Sequence, residues 1–374
     1  MPIPTSRARR WGATLRIALA GALTATAVAA LGSSPATAAA NGPAVVGSAV
    51  EIPVKFTVVN RNTTGIPCQT EPDGKTYTVH ANLVAPRDLV RASSPAVTMY
   101  LHGLGYSSFF FHLTEVPEYD YALNQATQGH VSLVIDRLGN PAHDDLPDGM
   151  ATCLPAQADI ADQIADALRA GNYKAGGNVL PRFGRVILAG HSAGGLIAEL
   201  TQAIFGSAEA LAVIGYTHYP STLALQTLFA SGQDCLTAPQ HARGDAGAPN
   251  YAPFGRTDAE FAAAHFHDVE SAVAELVLRK RNRDACGDLL SATQGYLATN
   301  LMTPAINVPT LLILGTKDAL FPPPGPEFQV QTAYPQAPRL SFVQLEATGH
   351  AITFGRTAEK FRSIMAQWLA ENQA

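Results

Sequence analysis

Short apolar runs alternate with amphipathic stretches along the chain, and this alternation is typical of strands and helices that build one α/β sheet. Two longer runs, at 51–59 and 76–86, predict a leading antiparallel pair of strands. The later runs are continuously apolar, as parallel strands covered on both faces must be. They predict strands at 96–103, 130–136, 185–190, 211–219, 310–315 and 339–347.

Helical periodicity fills the intervals between these runs. Ile160, Ile164 and Leu168 fall on one face of a predicted helix, and another helix is predicted after residue 190. The closing helix carries its apolar residues on one face. These are Phe361, Ile364, Met365, Trp368 and Leu369. The predicted fold class is therefore α/β, with a mostly parallel central sheet and helices on both faces.

One segment, residues 221–304, contains no comparable strand. It has helical signals, including the capping box formed by Thr257 and Glu260. About eighty residues is too long for a simple connection in a compact domain, so we expect an inserted helical cap or lid, with a surface elaboration as the alternative. We call residues 221–304 the cap segment. The prediction is one catalytic domain over 41–374 that carries this insertion.

The first forty residues have the pattern of a secretory signal peptide. Four arginines lead into the apolar run 17–31, and small residues at 36–40 offer a cleavage site. A membrane anchor is the alternative, but about fifteen apolar residues fall short of the roughly 20 that span a bilayer. The pair Arg9 and Arg10 leaves both the general and the twin-arginine export routes open. We therefore predict a secreted, extracytoplasmic protein.

Composition and charge narrow the class of partner. The 374 residues are 47% hydrophobic and 15% charged, which is enough to bury a large core. Removal of residues 1–40 changes the formal charge from -5 to about -9, with 21 basic residues against 30 acidic ones. The one dense basic stretch, 279–283, lies at the end of a predicted helix, where cations complement the helix dipole. We expect no nucleic-acid partner, and no stable membrane anchor after removal of residues 1–40.

The four cysteines predict two disulfide bonds in an exported chain, with four free thiols as the alternative. Three pairings can be drawn. We favour Cys68 with Cys153 and Cys235 with Cys286, because each bond then closes a segment within one region of the chain.

The sequence predicts no metal ion and no cofactor. It has no CxxC motif, and His265 and His267 would point to different sides of a helix. The glycines of HGLGYSS superficially resemble a dinucleotide loop, but Ser108 stands where the third glycine belongs.

A serine between two glycines, at Gly190, Ser192 and Gly194, follows the apolar run 185–190. A sharp turn between a strand and a helix holds a serine in a strained backbone conformation and projects its hydroxyl outward. Glycines flank the serine because larger side chains at their positions would collide. The alternative is an ordinary helix cap. A nucleophilic serine needs a base and an acid that orients the base.

Two later residues supply such partners. Asp318 follows the predicted strand 310–315, and His350 follows the strand 339–347. With Ser192 they stand just beyond the carboxyl ends of strands, where open α/β sheets build their sites. A turn residue at Asp318 and a structural histidine at His350 are the alternatives.

From about residue 75 to its end, the chain resembles the α/β-hydrolase superfamily, through the elbow at Ser192, the pair His102-Gly103, Asp318 and His350. The resemblance implies that Ser192 is the nucleophile, that His350 is the general base and then acid, and that Asp318 orients His350. It also implies an oxyanion hole made by the backbone N–H groups of Leu104 and Ala193.

Other positions near these motifs are predicted to surround the substrate: His102, Phe109 and Phe110. Helix core is an equal alternative for at least two of Phe109, Phe110 and Phe111, and His102 is expected to brace the oxyanion loop rather than to react. Residues 136–145 look like the family's Asp-Arg-x-Gly turn but lack the glycine that usually follows, so we expect no catalytic role there.

The expected function is a secreted serine hydrolase that cleaves carboxylic esters with a hydrophobic acyl or alcohol part, through an acyl-enzyme and without a cofactor. Its expected partner is a small-molecule or lipid-like ester substrate. A secreted peptidase, a thioesterase and an acyltransferase would use the same triad and stay open. From another class, a non-catalytic binding protein with this fold is the remote alternative.

Overall fold

The computed structural model describes residues 44–46, 49–88, 95–143, 145–176 and 181–373. The predicted signal peptide at 1–40 lies outside these residues, so it stays a prediction. Within the described ranges, the helices are all too short or too polar to cross a lipid bilayer.

A nine-stranded sheet forms the centre of the fold, with the order β1-β2-β3-β5-β4-β6-β7-β10-β11. Its strands are β1 (Ala44–Val46), β2 (Ala49–Val59), β3 (Thr76–Pro86), β4 (Ala96–Leu101), β5 (Ser132–Asp136), β6 (Arg185–His191), β7 (Ala210–Ile214), β10 (Thr310–Gly315) and β11 (Leu340–Leu345). Six neighbouring strands pair in parallel, in the order β5-β4-β6-β7-β10-β11. The pairs β1-β2, β2-β3 and β3-β5 are antiparallel. The predicted α/β class, with its leading antiparallel pair, is confirmed.

Helices cover both faces of this sheet, and alternate residues of β6 show it. Val186 and Leu188 pack in one apolar cluster with residues of two helices, α2 (Leu154–Ala170) and α3 (Ala193–Phe205). Ile187 and Ala189 pack in a second cluster on the other side. That cluster contains residues of α1 (Tyr121–Thr127) and α9 (Ala358–Asn372). A last short helix, α8 (Gly325–Thr332), precedes β11.

The predicted strand 211–219 is too long at its carboxyl end. The strand stops at Ile214 because Gly215 takes a φ of 56°, which turns the chain out of the sheet. The apolar and aromatic residues that follow belong to a loop above the sheet edge.

The cap segment lies between β7 and β10. It contains α4 (Thr222–Thr237), β8 (Tyr251–Pro253), α5 (Asp258–His265), α6 (Ser271–Lys280), β9 (Arg283–Ala285) and α7 (Cys286–Met302). The strands β8 and β9, which the sequence did not predict, form a separate antiparallel pair. Thr257 and Glu260 form the predicted capping box at the start of α5.

The cysteines are paired as the sequence favoured. Cys68 is joined to Cys153, with their Cα atoms 5.9 Å apart. Cys235 of α4 is joined to Cys286 of α7, with a Cα separation of 5.5 Å. The second bond connects two helices of the cap segment, directly beside β9.

Candidate active site

Ser192 occupies the turn between β6 and α3, with φ 55° and ψ -122°. Positive φ is rare for a residue with a side chain, and strain of this kind costs on the order of 1–3 kcal/mol. Although Ser192 is the N-cap of α3, its side chain accepts no capping hydrogen bond. The geometry therefore differs from that of an ordinary serine cap.

The flanking glycines permit this turn by close backbone approach. A Cβ at Gly190 would overlap the carbonyl oxygen of Gly194, and a Cβ at Gly194 would overlap the carbonyl oxygen of Leu101. A Cβ at Gly103 would lie only 2.8 Å from the Cβ of Ser192. The glycines thus allow the loop after β4 to lie directly against the serine.

His350 and Asp318 form a buried pair beyond the ends of β11 and β10. The Nδ1 of His350 lies 2.8 Å from Oδ2 of Asp318. The other carboxylate oxygen of Asp318 accepts the backbone N–H groups of Leu320 and Phe321, both at 2.9 Å. Because Nδ1–H donates to the carboxylate, the lone pair of the His350 ring is on Nε2. This Nε2 is buried and has no hydrogen-bond partner in the described part of the chain.

Two further histidines surround His350. His191 donates from Nε2 to the carbonyl oxygen of His350 at 3.0 Å, and the carbonyl oxygen of His265 accepts the N–H of Ala351 at 2.8 Å. Burial, followed by repulsion from His350, lowers the pKa of His191 and of His265 well below the usual histidine value. Both rings are therefore neutral, and the two residues hold the His350 loop, His191 through its ring and His265 through its backbone.

Leu104 and Ala193, the predicted oxyanion residues, line one cleft together with Ser192. Their backbone N–H groups donate to no acceptor among the residues that the structure describes. Ala193 is the first residue of α3, so its N–H also lies at the positive end of the helix dipole. Two unpaired donors beside a serine are what an oxyanion hole requires.

The remaining walls of this cleft are apolar. They come both from the cap segment and from helices and loops beside the central sheet. They are formed by Leu154, Leu196, Ala224, Leu228, Phe254, Ala292, Tyr296, Leu320 and Phe321. The cleft offers no charged side chain to a ligand, which suits an apolar group next to the serine hydroxyl.

The structure places Phe109 and Phe110 in the core, the alternative that the sequence left open, and it places His102 against the loop that it is expected to brace. Phe110 is fully buried and stacks on His191, with ring centroids 3.9 Å apart, and Phe109 packs in the same cluster under the site. His102 donates to the carbonyl oxygen of Gly103 at 2.9 Å and lies below the loop. The aromatic run fills core, and α2, α4 and α7, which line the cleft with Leu154, Ala224, Leu228, Ala292 and Tyr296, were not connected to the site from the sequence.

Gly105 follows the predicted oxyanion residue Leu104. Both its backbone N–H and its carbonyl oxygen form hydrogen bonds to the cap segment. Its N–H lies 3.0 and 2.8 Å from the two carboxylate oxygens of Asp284. Its carbonyl oxygen accepts the N–H of Asn282 at 2.9 Å. A Cβ at this position, where φ is 75°, would meet the ring of Phe261 at 2.6 Å. The cap segment thus fixes the loop that carries Leu104, one of the two predicted oxyanion donors.

Buried charge lies beneath the same loop. Burial raises the pKa of Asp284 to about 7, against the lowering effect of the Gly105 N–H. Burial and the neighbouring Arg137 lower the pKa of His102 to about 3, so this histidine is neutral. Arg137 is itself paired with Asp288 of α7 at 2.5 Å. No local pattern along the chain points to Asp284, whose contact with Gly105 arises from tertiary packing alone.

Comparisons with known proteins identify the family and the fold. Residues 100–362 match the model of a family described as the alpha/beta hydrolase family. No curated protein sequence matches the chain. A thermophilic esterase from Thermogutta terrifontis is similar in structure, with a TM-score of 0.56 and 16% identity over 85% of this chain and 100% of that one.

Two further solved structures share the fold. A monoacylglycerol lipase from Paleococcus ferrophilus has a TM-score of 0.53 and 16% identity, over 75% of this chain and 96% of that one. A thioesterase domain from the curacin biosynthetic pathway has a TM-score of 0.52 and 17% identity, over 80% of this chain and 97% of that one.

Proposed function

The chain belongs to the alpha/beta hydrolase family, and from this premise we propose that it is a serine hydrolase that cleaves carboxylic esters with an apolar acyl part. The observation that carries the proposal is the strained backbone of Ser192, whose hydroxyl faces no capping partner. Strain at a serine between two glycines, at the mouth of an apolar cleft, is explained by nucleophilic catalysis and not by helix capping.

In the proposed first half-reaction, Oγ of Ser192 attacks the ester carbonyl carbon while its proton passes to Nε2 of His350. Asp318 holds the Nδ1–H of the imidazolium and stabilises its charge. The carbonyl oxygen becomes an oxyanion that the N–H groups of Leu104 and Ala193 stabilise. The C–O bond then breaks, and the alcohol leaves with the proton from Nε2.

In the second half-reaction, water attacks the acyl-enzyme. His350 takes one proton from this water, and the second tetrahedral intermediate uses the same two N–H donors. Collapse returns the proton to Oγ of Ser192 and releases the carboxylic acid. The balance is one ester and one water consumed, one acid and one alcohol formed.

The apolar walls of the cleft support an acyl group without charge, because a charged group would lose its hydration there without a partner. The names of the similar structures, an esterase, a lipase and a thioesterase domain, point to acyl transfer from oxygen or sulfur. Export belongs to the proposal as well, and the two disulfides support it, since such bonds persist in oxidising compartments.

A fluorophosphonate probe and a substrate panel test the proposal. We expect the probe to label Ser192 and no other residue, and we expect turnover of p-nitrophenyl esters that exceeds turnover of aminoacyl p-nitroanilides. Faster cleavage of acyl thioesters would favour the thioesterase alternative, and faster cleavage of the anilides would favour a peptidase. A folded protein that the probe does not label would identify a non-catalytic member of the family.

A further inference from the structure

Two histidines and an aspartate meet away from the proposed triad. His80 belongs to β3, and His143 and Asp145 belong to the loop after β5. Each residue offers one ligand atom, and these atoms all lie within 4.8 Å of one another. The Nε2 of His80 is 3.1 Å from Oδ2 of Asp145. The three side chains are half-buried.

The two imidazole rings lie face to face, with centroids 3.8 Å apart and planes at 5°. The ligand atoms that the two rings offer therefore lie close to each other and to the Asp145 carboxylate. A neutral imidazole carries the lone pair that a metal ion needs.

A second carboxylate orients His143. The Nε2 of His143 lies 3.0 Å from Oδ2 of Asp136, and the other oxygen of Asp136 accepts the N–H of Ser108 at 2.7 Å. Histidines that ligate metals usually donate their second ring N–H to such a carboxylate. With Nε2–H given to Asp136, His143 has its lone pair on Nδ1.

We propose that His80, His143 and Asp145 bind one divalent metal ion of the zinc class. Two imidazoles and one carboxylate form a donor set that zinc accepts in a tetrahedral site, with a water molecule as the fourth ligand. The 3.1 Å between the His80 and Asp145 ligand atoms is close to the edge of a tetrahedron with bonds of about 2.0–2.2 Å. The two rings must tilt out of their parallel stack for both lone pairs to meet the ion, and half-exposed side chains have room to do so.

Charge and ligand type select among metal ions. The carboxylates of Asp136 and Asp145 lie 3.0 and 3.1 Å from ring nitrogens of His143 and His80. Calcium and magnesium prefer six or more oxygen ligands, which this group does not supply. Zinc, and in its place cobalt or nickel, is therefore expected over either alkaline-earth ion.

The site goes beyond the proposed function, because it includes none of Ser192, Asp318 and His350. An ion here would join β3 to the loop after β5, and through Asp136 it would support the backbone at Ser108, after the oxyanion loop. We therefore assign it a stabilising role. Local spacing along the sequence predicts no metal site here, because His80 lies on β3, far along the chain from His143 and Asp145.

A zinc titration of the tag-free protein, after treatment with a chelator, tests the site. We expect one equivalent of Zn²⁺ to bind, in competition with a chromophoric chelator, and to raise the melting temperature by several degrees. The double variant His80→Ala, His143→Ala should lose both effects. His241→Ala, at an exposed histidine outside the cluster, is the matched control and should keep them.

The milder variant Asp145→Asn keeps the shape of the site if the double variant does not fold. It should weaken zinc binding at least tenfold while circular dichroism stays unchanged. Zinc binding that both variants retain, a stoichiometry well below one, or equal stabilisation by Ca²⁺ and Zn²⁺ would each overturn the proposal. Labelling of Ser192 is unaffected by any of these outcomes, so this test is independent of the proposed reaction.

Discussion

Both carboxylate oxygens of Asp284 face the backbone N–H of Gly105, at 3.0 and 2.8 Å, so a strand of the cap segment holds the loop that carries Leu104. The contact is fully buried, and β9 contributes it from a separate small sheet. In the proposed reaction, the position of the Leu104 N–H decides how well the oxyanion is stabilised. The cap segment is therefore expected to affect the chemical step as well as substrate entry.

Replacement of Asp284 tests this coupling. Asp284→Ala should lower kcat by roughly tenfold to a hundredfold, less than the loss from removing an oxyanion donor outright, and should leave KM nearly unchanged. Asp284→Asn keeps a carbonyl oxygen that can accept the Gly105 N–H, so it should retain most of the turnover. Steady-state kinetics on one short ester and the affinity for a boronic acid, which mimics the tetrahedral intermediate, measure the effect.

Arg283→Ala is the matched control for these variants. Arg283 lies in the same strand, but its side chain donates to the carbonyl oxygens of His241 and Gly244 and does not contact Gly105. It should disturb β9 without lowering kcat. Equal kinetics for the Ala and Asn variants of Asp284, or an equal loss in the control, would contradict the positioning role.

The raised pKa of Asp284, about 7, also predicts a pH dependence of stability. The folded state binds the proton more tightly than the unfolded chain, so the contribution is fully present below pH 3.8 and is lost as pH rises through about 7. Each unit of difference corresponds to roughly 1.4 kcal/mol. Asp284→Asn cannot titrate, so its melting temperature should approach or pass that of the wild type as the pH is raised from 4 to 8. A constant difference between the two proteins over that range would rule out the raised pKa.

Much of the fold follows from sequence because the information is local. Each buried strand is a short apolar run, and Ser192, Asp318 and His350 each follow such a run directly. The parallel arrangement then brings the strand ends to one edge of the sheet. Helices with weak periodicity, such as α1 and α8, were not predicted.

The cleft and the Asp284 contact could not be predicted, because they depend on how distant segments pack. Phe110 illustrates the limit: an aromatic residue near the oxyanion loop suits a substrate pocket, but its ring stacks on His191 inside the core. Asp284 is an acid in a short strand without periodicity, and only the approach of Gly105 gives it a role.

Asp318→Asn should prevent His350 from acting as the base without unfolding the loop that carries Asp318. The Asn side chain oxygen can still accept the N–H groups of Leu320 and Phe321, but its NH₂ group then faces Nδ1 of His350 and forces the proton to Nε2. A histidine in that tautomer cannot accept the proton of Ser192, so kcat should fall by roughly 10⁴-fold. Turnover of a p-nitrophenyl ester, with the melting curve as the folding control, measures this. Activity within tenfold of the wild type would remove Asp318 from the proposed triad.

Ala292 of α7 lines the cleft and provides a test of its depth. Ala292→Trp should fill the apolar space and reduce kcat/KM for long acyl chains by at least tenfold, while a p-nitrophenyl acetate substrate is affected much less. Leu297→Trp is the control on the same helix, because Leu297 is 64% exposed and does not line the cleft. If the two variants show the same chain-length profile, the acyl group does not bind between α4 and α7.

The bond between Cys235 and Cys286 should support both the cap segment and the chemical step. Cys286 directly follows β9, so the bond anchors the strand that carries Asp284, and it also holds α4, whose residues Ala224 and Leu228 line the cleft. A cross-link across 51 residues contributes about 4 kcal/mol in the chain-entropy model. The double variant Cys235→Ser, Cys286→Ser should therefore melt several degrees earlier.

Kinetics of that variant, measured well below its melting temperature, separate the two roles. Movement of α4 alone would reduce turnover of long-chain esters and spare acetate, whereas movement of β9 would lower kcat for acetate as well, because the Gly105 loop loses its anchor. We expect both losses, with the larger one on long-chain esters. Since the triad stands on the sheet, fluorophosphonate should still label Ser192, only more slowly. Unchanged kcat on acetate in a folded variant would show that β9 keeps its place without the bond and would confine the disulfide to a role in stability.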